Sequence, residues 1–178
     1  MLVTQEKLGK YMMKAMEIFE SVDLVKRAMQ VASHAHRTQK YGERPYVTHL
    51  ADVVARVKTI TQDPEIIAAA WLHDTIEDTQ VTYGDIEREF GKNVADMVWA
   101  VTGVGQNRAE KMANAIEKIA RTPGSELVKS ADRLSNAAAS KEENKMKLYQ
   151  RYKDEHTNLS PVLGNNELAQ KLIVLFSD

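Results

Sequence analysis

The sequence has no cysteine, which excludes disulfide bonds and thiolate zinc sites. It also has no excess of charge, because 24 lysine and arginine residues are balanced by 25 aspartate and glutamate residues. Nucleic-acid-binding proteins usually carry a basic excess or a basic stripe, and neither occurs here. The longest apolar run, Ile66 to Leu72, is far too short to cross a bilayer. We therefore expect a cytoplasmic protein that binds neither nucleic acid nor a membrane.

The hydrophobic residues, 43% of the chain, recur with a helical period. Leu50, Val53, Val54 and Val57 have the i, i+3, i+4, i+7 spacing of a half-buried helix. No segment shows the sustained alternation of polar and apolar residues that is typical of strands. Because the 178 residues contain no internal repeat and no linker-like stretch, the sequence predicts one all-α domain of about eight to ten helices.

Capping residues predict where individual helices begin. Asp63 followed by Pro64 indicates the start of a helix that runs to about Thr75. Thr82, with Asp85 three residues later, indicates a capping box at the start of a shorter helix. Between these two signals lies a segment with several polar residues that could carry a function, namely His73, Asp74, Glu77 and Asp78.

A stripe of large apolar residues lies near the N-terminus. Met12, Met13, Met16 and Ile18 are interleaved with charged residues at helical spacing. Methionine adapts to irregular apolar surroundings, so the stripe predicts either core packing or a protein interface. A cofactor-binding role is not indicated.

The segment Trp71–Asp78 contains one imidazole and three carboxylates within about two helical turns. His73 and Asp74 directly follow an apolar stretch, and burying such groups costs free energy unless they are paired or ligated. Glu77 lies four residues after His73, and Asp78 four after Asp74, so each pair is predicted to share a helix face. Such crowding of carboxylates is unfavourable unless a cation offsets it. The alternative is that His73 pairs locally and the acids form a solvated helix end.

Two further segments supply groups of the same kind. His49 opens an amphipathic helix, and Asp132 interrupts the apolar stripe of another helix, for which Ser125 is the predicted cap. Lys129, Asp132 and Asn136 have the spacing of one helix face and are predicted to project together. Two imidazoles and two carboxylates without sulfur suit Mn²⁺, Fe²⁺, Co²⁺ or Zn²⁺.

The ordered set His49, His73-Asp74 and Asp132 resembles the HD phosphohydrolase superfamily. More narrowly, the sequence is similar to the ppGpp hydrolase domain of the RelA/SpoT group, especially its stand-alone small alarmone hydrolases. The HD dyad alone is a weak signal, whereas the acidic pair after it and the later Ala-Asp-Arg-Leu element are specific. The resemblance runs from about Lys26 to Asn136 and is carried by Pro45–His49, Ala70–Thr79, Phe90–Ala95 and Leu127–Asn136.

The resemblance implies a single HD domain over residues 1–178, with a core at 22–140 and C-terminal helices at 142–178 packed on it. It also implies one bound Mn²⁺, for which Fe²⁺, Co²⁺ and Zn²⁺ stay open as alternatives. The implied metal ligands are His49, His73, Asp74 and Asp132. The oligomeric state is left open.

The resemblance further implies hydrolysis of ppGpp, or of a related guanosine polyphosphate, with release of the 3′-pyrophosphate. Glu77 and Asp78 are implied as the catalytic acids, associated with the hydrolytic water. The implied contacts with the guanine nucleotide are Arg37, Lys40, Tyr41, Lys129, Asn136 and Tyr152.

Two other functions stay open at this point. The basic loop at residues 37–44 is a residue shorter than is typical of the family, so another nucleotide could be the substrate of a 5′-nucleotidase or an NADPH 2′-phosphatase. A non-catalytic nucleotide sensor is the third reading, although such a sensor is expected to have lost some of the ligands or acids. Substrate profiling distinguishes these functions.

Overall fold

The computed structural model describes residues 5–177, without the side chains of residues 6 and 8. Within that range the chain forms ten helices and one antiparallel pair of two-residue strands, which confirms the predicted all-α fold. The helices are α1 (Gln5–Ala35), α2 (Val47–Lys58), α3 (Pro64–Leu72), α4 (Thr75–Asp78), α5 (Tyr83–Phe90), α6 (Lys92–Val101), α7 (Arg108–Ile119), α8 (Ser125–Glu142), α9 (Met146–Leu163) and α10 (Glu167–Ser177). The strands β1 (Lys40–Tyr41) and β2 (Arg44–Pro45) form a hairpin between α1 and α2.

Helix α3 lies at the centre of the molecule because it is apolar on nearly every side. All of its residues from Ile67 to Leu72 are buried, and α1, α2, α6 and α8 pack around it. Helix α2 contributes Leu50, Val53 and Val57 to this core, as its helical spacing predicts. The turn that follows α3 therefore extends from a buried helix that is packed on several sides.

Helix α3 ends at Leu72, three residues before the predicted end. At its start, the Asp63 carboxylate accepts a hydrogen bond of 2.9 Å from the backbone amide two residues later, which confirms the predicted cap. The chain then turns at His73 and Asp74, and a new one-turn helix begins at Thr75. Neighbouring residues on a continuous helix point about 100° apart. The interruption lets the side chains of His73 and Asp74 converge instead.

The predicted capping box at the start of α5 is confirmed. The Thr82 hydroxyl accepts a hydrogen bond from the Asp85 amide at 3.2 Å, and the Asp85 carboxylate accepts one from the Thr82 amide at 3.1 Å. The prediction that Ser125 caps α8 is wrong. Gly124 is the cap, with φ of 90°, and the Ser125 hydroxyl donates to the Thr122 carbonyl instead. A left-handed backbone at this position favours glycine.

We expect Thr82→Ala to lower the free energy of unfolding by about 1 kcal/mol, because it removes the side-chain acceptor of an orphan helix amide. Urea denaturation of the full chain measures the change. Thr38→Ala, at an exposed threonine in the turn before β1, is the matched control and is expected to have a negligible effect. Equal losses in both variants would contradict the capping argument.

The first half of α1 exposes its large apolar side chains to solvent. Met12, Met13 and Met16 are each 61% exposed and Ile18 is 56% exposed, so the prediction that this stripe packs in the core is wrong. Every described side chain from residue 5 to residue 20 is exposed, and packing against the body begins only near Leu24. The interface alternative is therefore the one that remains.

The C-terminal helices α9 and α10 pack on α8 and on each other. The predicted division into a core at 22–140 and C-terminal helices at 142–178 stays a prediction, and residues 1–4 and 178 of the predicted domain lie outside the described residues. Across residues 5–177, no helix combines the length and the apolar character that crossing a bilayer requires.

Candidate functional site

Four polar side chains from three separate segments meet at the end of α3. His49 comes from the first turn of α2, His73 and Asp74 from the turn between α3 and α4, and Asp132 from α8. The Asp74 Oδ2 atom lies 2.9 Å from His73 Nε2 and 3.6 Å from His49 Nε2. The Asp132 Oδ1 atom lies 3.5 Å from His49 Nε2 and 3.8 Å from His73 Nε2. His49, His73 and Asp74 each offer one ligand atom within 4.8 Å of the others, and Asp132 lies against both histidines, so the four residues predicted as metal ligands are neighbours in the structure.

The two histidines present the same nitrogen to this cluster. His73 Nδ1 donates to the Ala70 carbonyl at 2.9 Å, and His49 Nδ1 lies 3.2 Å from the Ser135 hydroxyl. His73 Nε2 is buried and has no hydrogen-bond partner. Ligand atoms about 2.1 Å from one ion lie roughly 3.0–3.4 Å apart when they are adjacent, which is close to the separations observed here. The cluster therefore fits a divalent cation.

The charges of the cluster lead to the same conclusion. Burial lowers the pKa of the His73 imidazole, but the carboxylates of Asp74 and Asp132 outweigh burial and raise this pKa to about 9. Burial also opposes ionisation of Asp74, yet the neighbouring His73 charge brings its pKa down to about 2. The two carboxylates therefore favour a positive charge at this place, which a bound cation would supply in place of the proton.

Surrounding donors fix the orientation of both carboxylates. The Tyr46 hydroxyl donates to Asp74 Oδ2 at 2.6 Å. Lys129 Nζ donates to Asp132 Oδ2 at 3.0 Å, and Asn136 Nδ2 donates to Asp132 Oδ1 at 2.5 Å. Such outer contacts orient metal ligands and tune their affinity. Asn136 and Lys129 project together with Asp132, as their spacing on one helix face predicts.

A cleft of about 280 Å³ opens beside the cluster. The carboxylates of Asp74 and Asp132 line it, together with basic side chains from α7 and α8. Its polar lining consists of Tyr46, Asp74, Glu77, Asp78, Arg108, Lys111, Lys129, Asp132, Arg133, Asn136 and Tyr152. A cleft with these charges can hold an anion such as a phosphate group next to a bound cation.

The two predicted catalytic acids both line the cleft but have different partners. Glu77 accepts hydrogen bonds from Lys111 Nζ at 2.9 Å and from the Gly103 amide at 3.2 Å. The Asp78 carboxylate lies 3.5 Å from the Tyr46 hydroxyl and has no basic partner in the described part of the chain. Burial raises the pKa of Asp78, and the charges of Asp74 and Glu77 raise it further. Glu77 is thus held in place by two hydrogen bonds, whereas within residues 5–177 the Asp78 carboxylate has only the long contact with Tyr46.

The predicted nucleotide contacts are divided between the cleft and its surroundings. Lys129, Asn136 and Tyr152 line the cleft. Tyr41 lies behind it, where its ring stacks on His49 with centroids 4.7 Å apart and its hydroxyl donates to Asn136 at 2.9 Å.

The two basic residues of the predicted guanosine loop lie outside the cleft lining. Arg37 donates to the His34 carbonyl at 3.0 Å and lines a separate groove between α1 and α5. Lys40 is exposed on β1. The binding roles of these residues stay predictions.

Several residues of the cleft have no place among the sequence-based predictions. Arg133 donates to Glu155 at 2.8 Å, and its guanidinium lies 4.7 Å from the centroid of the Tyr152 ring. Arg108 contacts the same two side chains from α7. These contacts join segments far apart in the chain, so no local pattern marks them. Tyr46 is different, because its place three residues before His49 in the matching segment is a usable signal.

Comparison with known proteins places this site in context. The model of the HD domain family matches residues 28–165. The guanosine-3′,5′-bis(diphosphate) 3′-pyrophosphohydrolase of Aquifex aeolicus is 35% identical over 137 residues, which are 74% of this chain and 19% of that protein. The Drosophila melanogaster enzyme of the same name is 34% identical over 115 residues, which are 61% of this chain and 64% of that protein.

The chain spans less than a fifth of the first curated relatives that it matches. Among solved structures, one described as a metazoan orthologue of SpoT that hydrolyses ppGpp superposes with a TM-score of 0.76 at 28% identity. That superposition covers 86% of this chain and 94% of the other. Because the family model covers most of the sequence, this chain belongs to the HD-domain family.

Proposed function

We propose that this protein hydrolyses ppGpp, or a related guanosine polyphosphate, to release the 3′-pyrophosphate. The observation that carries the proposal is that a cluster of two histidines and two aspartates lies beside a cleft that also holds Glu77, Asp78 and several basic side chains. The names of the Aquifex and Drosophila relatives, and the described activity of the metazoan orthologue, support this choice of substrate.

We further propose Mn²⁺ as the cofactor, bound by His49, His73, Asp74 and Asp132. The ligand set of nitrogen and carboxylate oxygen without sulfur supports this choice but is also compatible with Fe²⁺, Co²⁺ and Zn²⁺. A bound divalent cation supplies Lewis-acid chemistry, which makes water more acidic and offsets phosphate charge.

The side chains of the cleft are assigned distinct tasks in this reaction. Asp78 accepts the proton of the attacking water, because it lies beside the cluster and has no basic partner among the described residues. The new bond forms between the water oxygen and the phosphorus that is attached to the 3′ oxygen, and the bond from that phosphorus to the 3′ oxygen breaks. The departing 3′ oxygen takes up a proton and becomes a hydroxyl, so that the products are GDP and pyrophosphate.

The basic side chains hold the phosphate groups in this arrangement. Arg108 and Arg133 are kept in place by their shared partner Glu155 and by the ring of Tyr152. Lys111 is positioned by Glu77, to which it donates a hydrogen bond of 2.9 Å. Preorganised cations stabilise the charge of a transferring phosphoryl group without reorganising during the reaction.

A phosphatase acting on another nucleotide is the second candidate, on a specific observation. Arg37 lines a different groove, and Lys40 is not part of the cleft lining, so the predicted guanosine loop contributes no cation to the cleft in this structure. A 5′-nucleotidase or an NADPH 2′-phosphatase would use the same metal-binding and phosphate-binding side chains and would not need that loop.

We expect the purified chain of 178 residues to hydrolyse ppGpp, to lose this activity on dialysis against EDTA, and to recover it with Mn²⁺. Chromatography of the nucleotide products measures the reaction, and Mg²⁺, Fe²⁺, Co²⁺ and Zn²⁺ are compared at equal concentration. GTP, GMP and NADPH serve as alternative substrates. Hydrolysis that survives the chelator would contradict the metal assignment. Consumption of NADPH or GMP without any turnover of ppGpp would contradict the substrate and favour the second candidate.

A further inference from the structure

The two histidines of the cluster are oriented by different kinds of partner. His73 Nδ1 donates to the Ala70 carbonyl, a backbone atom that does not depend on the side chain at that position. His49 Nδ1 instead lies 3.2 Å from the hydroxyl of Ser135, a residue of α8 that is only 3% exposed. The orientation of His49 therefore depends on a side chain 86 positions later in the sequence, which a substitution can remove.

The plane of the His49 ring is fixed by a second contact. The Tyr41 ring stacks on it, with centroids 4.7 Å apart and planes inclined by 15°. Rotation of the imidazole by half a turn about its Cβ–Cγ bond would keep this stack but would turn a carbon atom toward the cluster. The hydrogen bond at Nδ1 opposes that rotation, as the outer partners of ligating histidines do.

The direction of this hydrogen bond follows from metal binding. A histidine binds a metal through a nitrogen that carries no proton, and Nε2 of His49 is the nitrogen that faces Asp74 and Asp132. The proton of the neutral ring is then on Nδ1, which donates to the Ser135 oxygen. The hydroxyl proton of Ser135 can in that case be donated to another acceptor.

The carboxylate of Asp52 is the acceptor on this side of the ring. Asp52 follows His49 by three residues on α2, and both line a cavity of about 150 Å³ together with Ser135. Burial raises the pKa of Asp52, but hydrogen bonds from Arg56 and Ser135 outweigh burial and lower it. Arg56 Nε donates to Asp52 Oδ2 at 2.8 Å. An ionised carboxylate, held by Arg56, is thus available to the Ser135 hydroxyl.

We propose that Ser135 and Asp52 are positioning residues, which hold His49 with Nε2 toward the cluster and strengthen its binding of the divalent cation. This role rests on the proposed metal site and not on the identity of the nucleotide. A carboxylate connected to a ligating imidazole fixes its tautomer and raises its basicity, and loss of such partners typically lowers metal affinity about ten- to a hundredfold. Because Ser135 lies between Asp52 and His49, Asp52 acts through Ser135.

Binding of Mn²⁺ to the purified chain, stripped of metal with EDTA and free of nucleotide, tests this role. Calorimetry measures the dissociation constant without any turnover. We expect Ser135→Ala to raise this constant at least about tenfold. Ser140→Ala is the matched control, because Ser140 is also a 3% exposed serine of α8 but donates to the Asn136 carbonyl at 2.8 Å. It is expected to leave the dissociation constant unchanged.

A double-mutant cycle tests whether Asp52 acts through Ser135. Asp52→Asn keeps the size of the side chain and removes its charge, and we expect it to raise the dissociation constant less than Ser135→Ala does. In the Ser135→Ala background it is expected to have no further effect. A charge that acted on the cation directly through space would instead weaken binding by the same factor in both backgrounds.

Hydrolysis of ppGpp gives a readout that general damage to the fold would not reproduce. At limiting Mn²⁺ we expect Ser135→Ala to be slower than the parent chain, and at saturating Mn²⁺ to regain the parent kcat. Circular dichroism verifies that each variant is folded. A loss of kcat that saturating Mn²⁺ does not restore would overturn the positioning role.

The binding constants separate this proposal from the proposed function. Equal affinities of Ser135→Ala and the parent chain would overturn the positioning role and leave the metal site intact. Independent effects of the two substitutions would overturn the connection through Ser135. A parent chain that binds Mn²⁺ without hydrolysing ppGpp would contradict the substrate alone, whereas one that binds no divalent cation would overturn both the metal site and the role derived from it.

Discussion

Replacing Asp132 by asparagine is expected to remove the bound divalent cation and to lower the hydrolytic rate at least about a thousandfold. The amide keeps the size of the side chain but removes the negative charge that faces both histidine Nε2 atoms at 3.5 and 3.8 Å. It also loses the charge-assisted bond from Lys129 at 3.0 Å. Metal content after dialysis, together with the rate of ppGpp hydrolysis, measures both effects.

Asp96→Asn is the matched control for this change. Asp96 also accepts from a lysine of its own helix, Lys92, at 2.6 Å, but it lies on α6 away from the cluster. We expect it to retain both the metal and the activity. If Asp132→Asn instead binds Mn²⁺ as tightly as the parent chain, Asp132 is not a ligand and the four-ligand cluster is wrongly assigned.

The second large effect is expected from Asp78→Asn, which should lower kcat by about a hundred- to ten-thousandfold while the metal stays bound. The carboxylate of Asp78 is assigned to proton transfer and not to the metal, so metal content and KM should change little. The amide cannot accept the proton. Steady-state kinetics on ppGpp with Mn²⁺, and metal analysis of the same samples, separate this result from that of Asp132→Asn.

Glu77→Gln gives the closest comparison because it makes the same chemical change one residue earlier. Its carboxylate is bound to Lys111 at 2.9 Å and to the Gly103 amide, so its loss releases the lysine that we propose to bind phosphate. We therefore expect a rise in KM and a smaller loss of kcat than for Asp78→Asn. A larger loss of kcat in Glu77→Gln would reverse the assigned roles of the two acids.

The cluster of proposed metal ligands could be anticipated from the sequence because its members begin, follow or interrupt apolar helical stretches. A buried charge in such a stretch is costly without a partner, so its presence indicates one. His49, His73 and Asp132 all lie in segments of this kind. The break after Leu72 could not be predicted, because the apolar run gives no signal that the helix stops where the ligands begin.

The rest of the cleft depends on contacts between distant segments. Lys111 reaches Glu77 across 34 positions of the chain, and Arg108 reaches Glu155 across 47. Both basic residues lie on α7, whose sequence resembles any solvated amphipathic helix. Their place beside the cleft follows from how α7 packs on α6 and α9, which periodicity alone does not determine.

The stripe at Met12 and Ile18 shows a related limit. Helical spacing identifies a face that needs a partner, but it does not say whether the partner belongs to the same molecule. Only the exposure of these residues, 61% and 56%, decides against the core.

The burial of α3 has a consequence for how the protein responds to its cofactor. The turn with His73 and Asp74 extends from a helix that contacts α1, α2, α6 and α8 at once. Local opening of that turn is therefore costly, and the ligands separate mainly when the whole domain unfolds. The free energy of cation binding at the site is in that case linked to the global folding equilibrium. A bound cation therefore raises the free energy of unfolding of the entire helical core.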